Sequence, residues 1–476
     1  MSEGQSGYGR NAVFFRALLL LYGVHLVAAV WTERALWLDG AYYFTRLLET
    51  QGFVLGDSSR AGADVLVEIP VVAALRAGIA NLSLLKVLFG LPPFLLTPVC
   101  LVLCVWIAGP RPELVTWPLA TIAAGLLNTE LLVIHESRAA VVLFWPALFA
   151  LVDPLRRTST LIVGMLVSLP LIASYESAIA LGPILILTAF RRMGQDPSVP
   201  NRRLLWAIVT CAAFATFVAA ASILRPTHPA NLTSFQGSWR VILEPESVSL
   251  QLSLFVVGAA ALGALLPRAA APWITLIASV AIALGVLQAL SDPMGIAVTA
   301  QYRARIVNVV LPVVTAAPVV MGGLRIETMT MMRRVFGLLF AAQIMFQLQL
   351  TSQWHAFRNL ARERTSCVSG LVPVDVALAS GLQELRISPQ WMHGWQHPTV
   401  SLLDRAGPVR GLIGRARGYT EWQPYDPLDP LALPDLARYG VDTSLYKEAL
   451  ARRRSEGGAA FEPLPECRNA AWMVGR

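Results

Sequence analysis

The stretch Trp37–Phe44 combines an acid, a glycine and several aromatic rings directly after the first long apolar run. Asp39 precedes Gly40 and can therefore lie on a tight turn that faces a cavity. Its carboxylate could there accept the proton of an acceptor hydroxyl as a general base. A helix cap or a solvated interfacial acid is the alternative. The surrounding aromatic residues are themselves typical of the belt at a membrane interface, which we favour for them.

A second group of chemically active residues lies between two later apolar runs. His135, Glu136 and Arg138 place a base, an acid and a cation within one short segment. Such a group is unfavourable at membrane depth unless it faces water or a ligand. His135 or Glu136 could bind a divalent metal ion, and Arg138 could bind a phosphate through two hydrogen bonds. An interfacial loop with a Glu–Arg pair is the alternative, so the cofactor stays unknown, with a divalent ion as one option.

Two further polar groups interrupt apolar sequence. Tyr175 and Glu176 divide a stretch of about thirty residues, which is too long for one ordinary span. We expect a turn there with Glu176 at the outer face, although a buried acid within one span is the alternative. Tyr302, Arg303 and Arg305 precede a later apolar run, and paired arginines suit a phosphate or pyrophosphate. Ordinary loop charges would explain the same residues.

Two tryptophans in the C-terminal part, Trp391 and Trp395, are four residues apart and would share a face if the segment were helical. His393 and His397 have the same spacing and could hold a metal ion, but Gly394 and Pro398 argue against a stable helix. Aromatic faces can stack on sugars, which makes the tryptophans candidates for binding an acceptor. Packing within a small domain is the alternative that we favour.

The composition indicates a membrane protein. Hydrophobic residues make up 55% of the 476 positions and charged residues 14%, whereas soluble domains carry about 25% charged residues. The net charge is +8. The arginines that carry it lie in short clusters between apolar runs and do not form the basic stripe of a nucleic-acid-binding protein. The sequence also lacks P-loop, GxGxxG, GxSxG and HExxH motifs, so soluble nucleotide-driven and hydrolase functions lose support.

Apolar runs of about 17–25 residues predict an all-α polytopic membrane protein with roughly eleven transmembrane helices. The first run is longer than the core of a signal peptide and lacks a clear cleavage site, so we expect it to be retained. The predicted spans are near 12–31, 84–108, 114–134, 139–153, 159–175, 177–190, 204–223, 250–266, 272–290, 306–322 and 335–350.

The distribution of arginine predicts the orientation. With the N-terminus in the cytoplasm, the arginine pairs at 156–157, 191–192, 202–203 and 333–334 all fall on the cytoplasmic side. Every group of candidate residues described above then lies on the outer face, together with the C-terminal segment. We therefore expect a multi-pass protein of the inner (plasma) membrane with a periplasmic or extracellular C-terminal domain.

The domain organisation follows from these spans. Residues 1–350 form the membrane domain, with a long first outer loop at 32–83 in which Glu68 and Arg76 favour a helix along the interface over a span. Residues 351–476 form a small outer domain of irregular or mixed structure. Cys367 and Cys467 are the only cysteines in it, and we expect them to pair, since an oxidising compartment permits a disulfide.

This layout resembles the GT-C superfamily of polytopic glycosyltransferases, which includes protein mannosyltransferases and the aminoarabinose and galacturonic acid transferases of lipid A. Members have roughly eight to thirteen spans, a catalytic acid in the first outer loop and further polar residues in the second. Asp39 matches the position of the first acid, and His135 with Glu136 the second-loop group. An adjacent pair of acids seen in some members is absent here.

The resemblance implies transfer of a sugar from a polyprenyl-phosphate donor to an envelope lipid, glycan or protein. Asp39 would then activate the acceptor, while Arg138, or Arg303 with Arg305, would hold the donor phosphate. The expected partners are this lipid-linked donor and membrane lipids. Two other functions fit the layout, an outer-face polymerase or ligase of lipid-linked glycans and a transporter or flippase. A transporter usually has an internal repeat and mid-membrane charges, and neither is evident.

Overall fold

The structure is a computed structural model of the 476-residue chain. It describes residues 3–37, 39–55, 59–109, 111–126, 136–153, 155, 157–195, 198–225, 255, 258, 271–291, 309–321, 326–388, 391, 397–404, 407–414, 435–456 and 461–467.

Helices account for most of the described residues in the first half of the chain. They are α1 (Glu3–Trp31), α2 (Asp39–Thr50), α3 (Ala61–Arg76), α4 (Leu82–Ala108), α5 (Thr116–Thr121), α6 (Glu136–Val152), α7 (Thr158–Ser168), α8 (Ala178–Met193) and α9 (Val199–Leu224).

Three more helices lead to the C-terminal domain. They are α10 (Ala271–Ser291), α11 (Val309–Met321) and α12 (Ile326–Ser366). The 41 residues of α12 extend over about 60 Å, which is twice the thickness of a bilayer's hydrocarbon core, about 30 Å. The predicted domain boundary at residue 350 therefore falls inside one continuous helix, whose C-terminal part belongs to the core of the next domain.

Four helical stretches of the described chain are long and apolar enough to cross a membrane. They are Val13–Trp31, Leu82–Ala108, Val199–Leu224 and Met332–Ser366. Shorter apolar helices overlap the spans predicted near 139–153, 159–175, 272–290 and 306–322, and α8 overlaps the one at 177–190. Most of the span at 250–266 lies outside the described residues. The architecture supports an all-α membrane domain, and the total of eleven spans stays a prediction.

Proline explains where one predicted stretch is divided. Helix α7 ends at Ser168, and a 3-10 turn over Pro170–Ala173 follows before α8 begins. Pro170 lacks the N–H that would continue the α-helical hydrogen bonds. The predicted turn at Tyr175 and Glu176 is therefore confirmed.

The predicted third span begins as three short segments. A 3-10 turn (Pro112–Val115), α5 and a π turn (Ile122–Leu126) follow one another directly. Such changes of helical pitch are common at functional sites of membrane and soluble proteins. Residues 127–135, which would complete this span, lie outside the described part of the chain.

The C-terminal domain is mixed. It contains α13 (Val374–Glu384), α14 (His397–Leu403), α15 (Ser444–Glu456) and the strands β1 (Val368–Val372), β2 (Gly407–Pro408), β3 (Gly411–Ile413), β4 (Val441–Asp442) and β5 (Phe461–Pro463).

The strands form two small sheets. The central strand β1 pairs in parallel with β3, with Gly370 opposite Gly411, and antiparallel with β5, with Gly370 opposite Phe461. Strands β2 and β4 form a separate parallel pair. The predicted cysteine pair forms a disulfide that joins the residue before β1, Cys367, to Cys467 shortly after β5, with Cα atoms 5.4 Å apart. The disulfide thus links the first and last strands of the domain.

The described residues contain two main hydrophobic cores. The first lies among α1, α4–α11 and the N-terminal half of α12 and fills the helix bundle. The second joins α2 and a 3-10 turn (Arg34–Leu36) to α12 and the C-terminal domain. The helices of the predicted first outer loop share this core with residues about 300 positions later, and their place along a membrane interface stays a prediction.

Candidate functional site

The two ends of the helix bundle differ in their chemistry. At one end Arg157 donates from Nη2 to the carbonyl of Ile107 (2.8 Å), and Arg192 donates from Nη1 to the carbonyl of Ala150 (2.7 Å). These contacts bring together the C-terminal ends of α4, α6 and α8. Because α8 begins just after Glu176 and ends at the arginines, Glu176 lies at the opposite end, about 24 Å away along the helix axis. Glu176 and these arginines therefore lie at opposite ends of the bundle, as predicted. Which end faces which side of the membrane stays a prediction.

Asp39 begins α2 at the end of the bundle away from those arginines. The backbone N–H of the next residue, Gly40, donates to the carbonyl of Trp37 (3.2 Å). A Cβ at Gly40 would lie 1.7 Å from the carbonyl oxygen of Ala35 and 3.7 Å from the ring of Phe89 on α4. Only glycine fits here, so the backbone that carries Asp39 is held tightly against the 3-10 turn (Arg34–Leu36). The Asp39 side chain itself lies outside the described residues.

The aromatic residues beside Asp39 are core residues. Trp37 is 2% exposed, and its ring centroid lies 5.3 Å from that of Trp354 and 4.5 Å from that of Trp391. Phe44 is fully buried and packs on Phe89. The prediction of an exposed interfacial belt is therefore wrong for Trp37 and Phe44, because the C-terminal domain covers one and α4 the other.

Trp391 packs in the core of the C-terminal domain, which is the alternative that the sequence favoured for it. Its side chain is fully buried, and its indole N–H donates to Oε1 of Gln353 (2.9 Å). The rings of Trp37, Trp354 and Phe357 surround it. A sugar cannot stack on a ring whose faces are covered in this way, so the acceptor-binding role is wrong for Trp391. The second candidate, Trp395, lies outside the described residues.

A buried ionic network joins the membrane domain to the C-terminal domain. Arg358 on α12 donates to Glu33 (Nη2 to Oε2, 2.8 Å), to Asp404 after α14 (Nε to Oδ1, 3.0 Å) and to the carbonyl of Thr32 (2.6 Å). Lys86 of α4 also contacts Glu33, with Nζ 2.9 Å from Oε2. Burial raises the pKa of Glu33, but the charges of Arg358 and Lys86 outweigh it and hold the pKa below its ordinary value. Glu33 is therefore an ionised link between three segments.

Arg34 extends this junction further along the same face of α12, because residues 347, 351 and 358 recur at helical spacing. It is fully buried and donates to the backbone and side chain of Gln347 (2.9 and 2.8 Å) and to the hydroxyl of Thr351 (2.7 Å). The segment that leads into Asp39 is thus bound to α12 by consecutive charged residues, Glu33 and Arg34. The outer domain and the Asp39 segment form one packed unit through α12.

Arg138 lies inside the helix bundle. It is 3% exposed and donates from Nε to the hydroxyl of Thr97 on α4 (2.9 Å) and from Nη2 to that of Tyr22 on α1 (2.5 Å). Its guanidinium lies 6.0 Å from the ring centroid of Phe94, which also packs edge-on against His25. Three helices therefore position one cation in a polar cluster within otherwise apolar surroundings.

The helices that carry Asp39 and Arg138, α2 and α6, both pack against α4. Phe44 of α2 packs on α4 at Phe89, and Arg138 contacts α4 at Thr97, eight residues further on and about 12 Å along the axis. Both α2 and α6 begin at the end of the bundle opposite to Arg192. The structure thus places the starts of these two helices at one end of the bundle.

Tyr175 and Glu176 form a third polar group at this end. Glu176 is 3.7 Å from Arg60, whose guanidinium lies 5.6 Å from the ring centroid of Tyr175. Ser222 near the end of α9 donates to Glu176 at the limit of hydrogen-bond distance, 3.5 Å. The predicted outer turn is therefore packed against the start of α3 in the first loop.

Comparisons of the chain with protein-family profiles, curated proteins and solved structures found no match. The arrangement of the polar groups described above is therefore the basis for the function proposed below.

Several predicted site residues fall outside the description. His135, Tyr302, Arg303 and Arg305 lie outside the described residues, as does the side chain of Glu136, although Glu136 begins α6. Within the described part of the chain, no three His, Cys, Asp or Glu side chains form a group that could hold a metal ion.

Sequence reasoning missed the partners of the predicted residues. Tyr22, His25 and Thr97 are buried polar residues within predicted spans, and Lys86 is a charge at the start of one. Polar residues inside apolar runs are themselves a functional signal in membrane proteins, so these were open to prediction. Arg60 carried no comparable signal, because an arginine in a long loop is ordinary.

Glu68 on α3 is a buried acid with an unusual pKa. It is 2% exposed, and its Oε2 accepts a hydrogen bond from the backbone N–H of Val54 (2.8 Å). Burial raises its pKa to about 7, and this hydrogen bond only partly opposes the rise. The folded protein therefore holds a proton on Glu68 at pH values where the unfolded chain, with an ordinary pKa near 4.5, does not.

This difference predicts a pH-dependent stability. Because the folded state binds more protons, the contribution of Glu68 is fully present below about pH 4.5 and is lost as the pH rises through about 7. We expect Glu68→Gln to be close to wild type at pH 5 and more stable than wild type at pH 8, measured by thermal unfolding in detergent. The exposed Glu448→Gln is the control, and equal pH profiles for Glu68→Gln and wild type would contradict the assignment.

Proposed function

We propose that this protein is a membrane glycosyltransferase that moves a sugar from a polyprenyl-phosphate donor to an acceptor hydroxyl at the outer face of the membrane. The observation that carries the proposal is the buried guanidinium of Arg138, held by Tyr22 and Thr97 in the bundle near the start of α6. Helix α2, which begins at Asp39, packs on the same helix α4 through Phe44 and Phe89. A cation and an acid brought to one end of a bundle suit a reaction that moves a phosphate-bearing leaving group.

The proposed reaction divides the work between these residues. The Asp39 carboxylate accepts the proton of the acceptor hydroxyl while that oxygen bonds to the anomeric carbon of the sugar. The bond from this carbon to the phosphate oxygen breaks, and its electron pair leaves with the polyprenyl phosphate. Arg138 stabilises the charge that develops on the departing phosphate.

The outer orientation follows from the arginine distribution. Arg192, at the end of α8, donates to the last carbonyls of α6 at the other end of the bundle, which the positive-inside rule assigns to the cytoplasm. The C-terminal domain, with its disulfide, then lies in an oxidising compartment. A polyprenyl-phosphate donor suits a site there because its sugar and its lipid reach the membrane surface together.

The test is replacement of Arg138. We expect Arg138→Met to lower kcat/KM for polyprenyl-phosphate sugars about 10- to 100-fold, since hydrogen bonds to a charged group contribute roughly 1.5–3 kcal/mol. Purified full-length protein would be assayed with a panel of radiolabelled polyprenyl-phosphate hexoses, pentoses and uronic acids. Binding of undecaprenyl phosphate, followed by thermal shift, separates loss of donor binding from loss of chemistry.

Arg76→Met, which changes an exposed arginine of α3, is the matched control and should keep wild-type activity. Arg138→Lys keeps the charge and should retain intermediate activity. Folding of each variant is checked by its elution as a single species in detergent. A folded Arg138→Met protein with wild-type kcat/KM and undecaprenyl phosphate affinity would overturn the proposed role.

A further inference from the structure

A cavity of about 330 Å³ lies at the opposite end of the bundle from Asp39. The ends of α6, α8 and α11 and the segment after α4 enclose it, so residues from four separate parts of the chain meet there. Its lining includes three arginines, one acid and several apolar side chains, namely Arg111, Arg191, Arg192, Asp153, Val319 and Val320.

The single acid of this lining is already engaged. Asp153 accepts hydrogen bonds from Arg157 (Nε to Oδ2, 3.2 Å), from the backbone N–H of Leu155 (3.0 Å) and from the hydroxyl of Thr160 (2.9 Å). Its charge is therefore balanced by Arg157, which does not line the cavity. The positive charges of Arg111 and Arg191 thus remain at the cavity.

The arginines are fixed by the ends of the helices. Arg191 donates from Nη1 to the carbonyl of Val320 at the end of α11 (2.8 Å), and Arg192 donates from Nη1 to the carbonyl of Ala150 near the end of α6 (2.7 Å). Among the described residues, no carboxylate lies within 4.0 Å of Arg111 or Arg191. The bond from Arg191 uses Nη1, and a planar guanidinium has further donors that suit phosphate oxygens.

The cavity also has an apolar wall. Val319 and Val320 of α11 and Leu151 and Val152 of α6 line it. A small soluble anion gains nothing from contact with apolar side chains, whereas a phospholipid presents a charged phosphate next to apolar chains. Basic pockets between helices at the cytoplasmic membrane surface are suited to anionic lipid head groups.

We propose that this cavity binds the phosphate of an anionic phospholipid, which links the ends of α6, α8 and α11. Arg111 and Arg191 contact the phosphate oxygens, and the valines of α11 contact the first part of the acyl chains. The site is separate from the proposed transferase site, and its occupation does not depend on that function.

The test is a thermal-shift titration of purified full-length protein in detergent. The ligands are phosphatidylglycerol, phosphatidylcholine and inorganic phosphate at equal concentrations. We expect phosphatidylglycerol to raise the unfolding temperature, and phosphatidylcholine and inorganic phosphate to leave it unchanged. In Arg111→Gln/Arg191→Gln the dissociation constant should rise about 30-fold, since each surface arginine contributes roughly a fivefold gain in affinity for anionic lipid.

Arg203→Gln, which removes an exposed arginine near the start of α9, is the matched control and should bind as wild type. If the double variant does not fold, Arg111→Gln alone keeps the bond from Arg191 to Val320 and should weaken binding about fivefold. Equal shifts with the two lipids, or unchanged affinity in the Arg111 variant, would overturn the site. A shift with inorganic phosphate as large as that with phosphatidylglycerol would overturn its assignment to a lipid.

Discussion

Replacing Asp39 by asparagine is expected to lower kcat about 10²- to 10⁴-fold, the usual contribution of a positioned general base. Asparagine has nearly the same shape and fits the start of α2, but it cannot accept the proton of the acceptor hydroxyl. Donor binding should be unchanged because Arg138 and its partners are intact. The measurement is the single-turnover rate with a saturating radiolabelled polyprenyl-phosphate sugar, next to the affinity for undecaprenyl phosphate.

Glu49→Gln is the control for Asp39, since it removes an acid from the last turn of the same helix. Glu49 pairs with Arg46 at 3.0 Å near the protein surface, so its loss should leave the rate unchanged. If Asp39→Asn turns over at the wild-type rate, Asp39 is not the base. If that variant loses activity together with undecaprenyl phosphate binding, Asp39 acts by holding the site in place.

Replacing Arg358 by methionine is expected to lower the free energy of unfolding by about 3–5 kcal/mol, the usual consequence of removing one partner from a buried ionic network. The Arg358 side chain is 4% exposed and contacts Glu33 and Asp404. Its loss leaves both carboxylates with less positive charge nearby. Lys86 is the buried cation that still contacts Glu33. Denaturant titration of the purified protein in detergent measures the change.

Arg362→Met is the matched control for Arg358. Arg362 lies one turn further along α12, its side chain is 48% exposed, and it is 3.9 Å from Asp404. We expect its loss to cost less than about 1 kcal/mol, because solvent screens exposed ion pairs. Neutralising both acids in the Arg358→Met background, with Glu33→Gln and Asp404→Asn, should recover part of the stability. A cost for Arg358→Met as small as that for Arg362→Met would show that the network does not hold the domains together.

Much of the membrane domain could be predicted from the sequence. A helix in a membrane satisfies its own backbone hydrogen bonds, so a long apolar run determines a helix without knowledge of its neighbours. The runs at 12–31, 84–108 and 204–223 correspond to α1, α4 and α9, and the turn before α8 follows from Pro170. The pairing of Cys367 with Cys467 followed from there being only two cysteines in the C-terminal domain.

The surroundings of the candidate residues were decided by the tertiary structure. Trp37 has the same sequence context in an interfacial belt and in a core, and the packing of Trp354, Phe357 and Trp391 against it is what buries it. Arg34 and Gln347 are 313 positions apart, and no local pattern connects them. Likewise, the sequence indicates that Arg138 is unusual, but its hydroxyl partners come from two other helices. Local hydropathy determines each span because its energetics are local, whereas the packing of distant segments decides which side chains share a site.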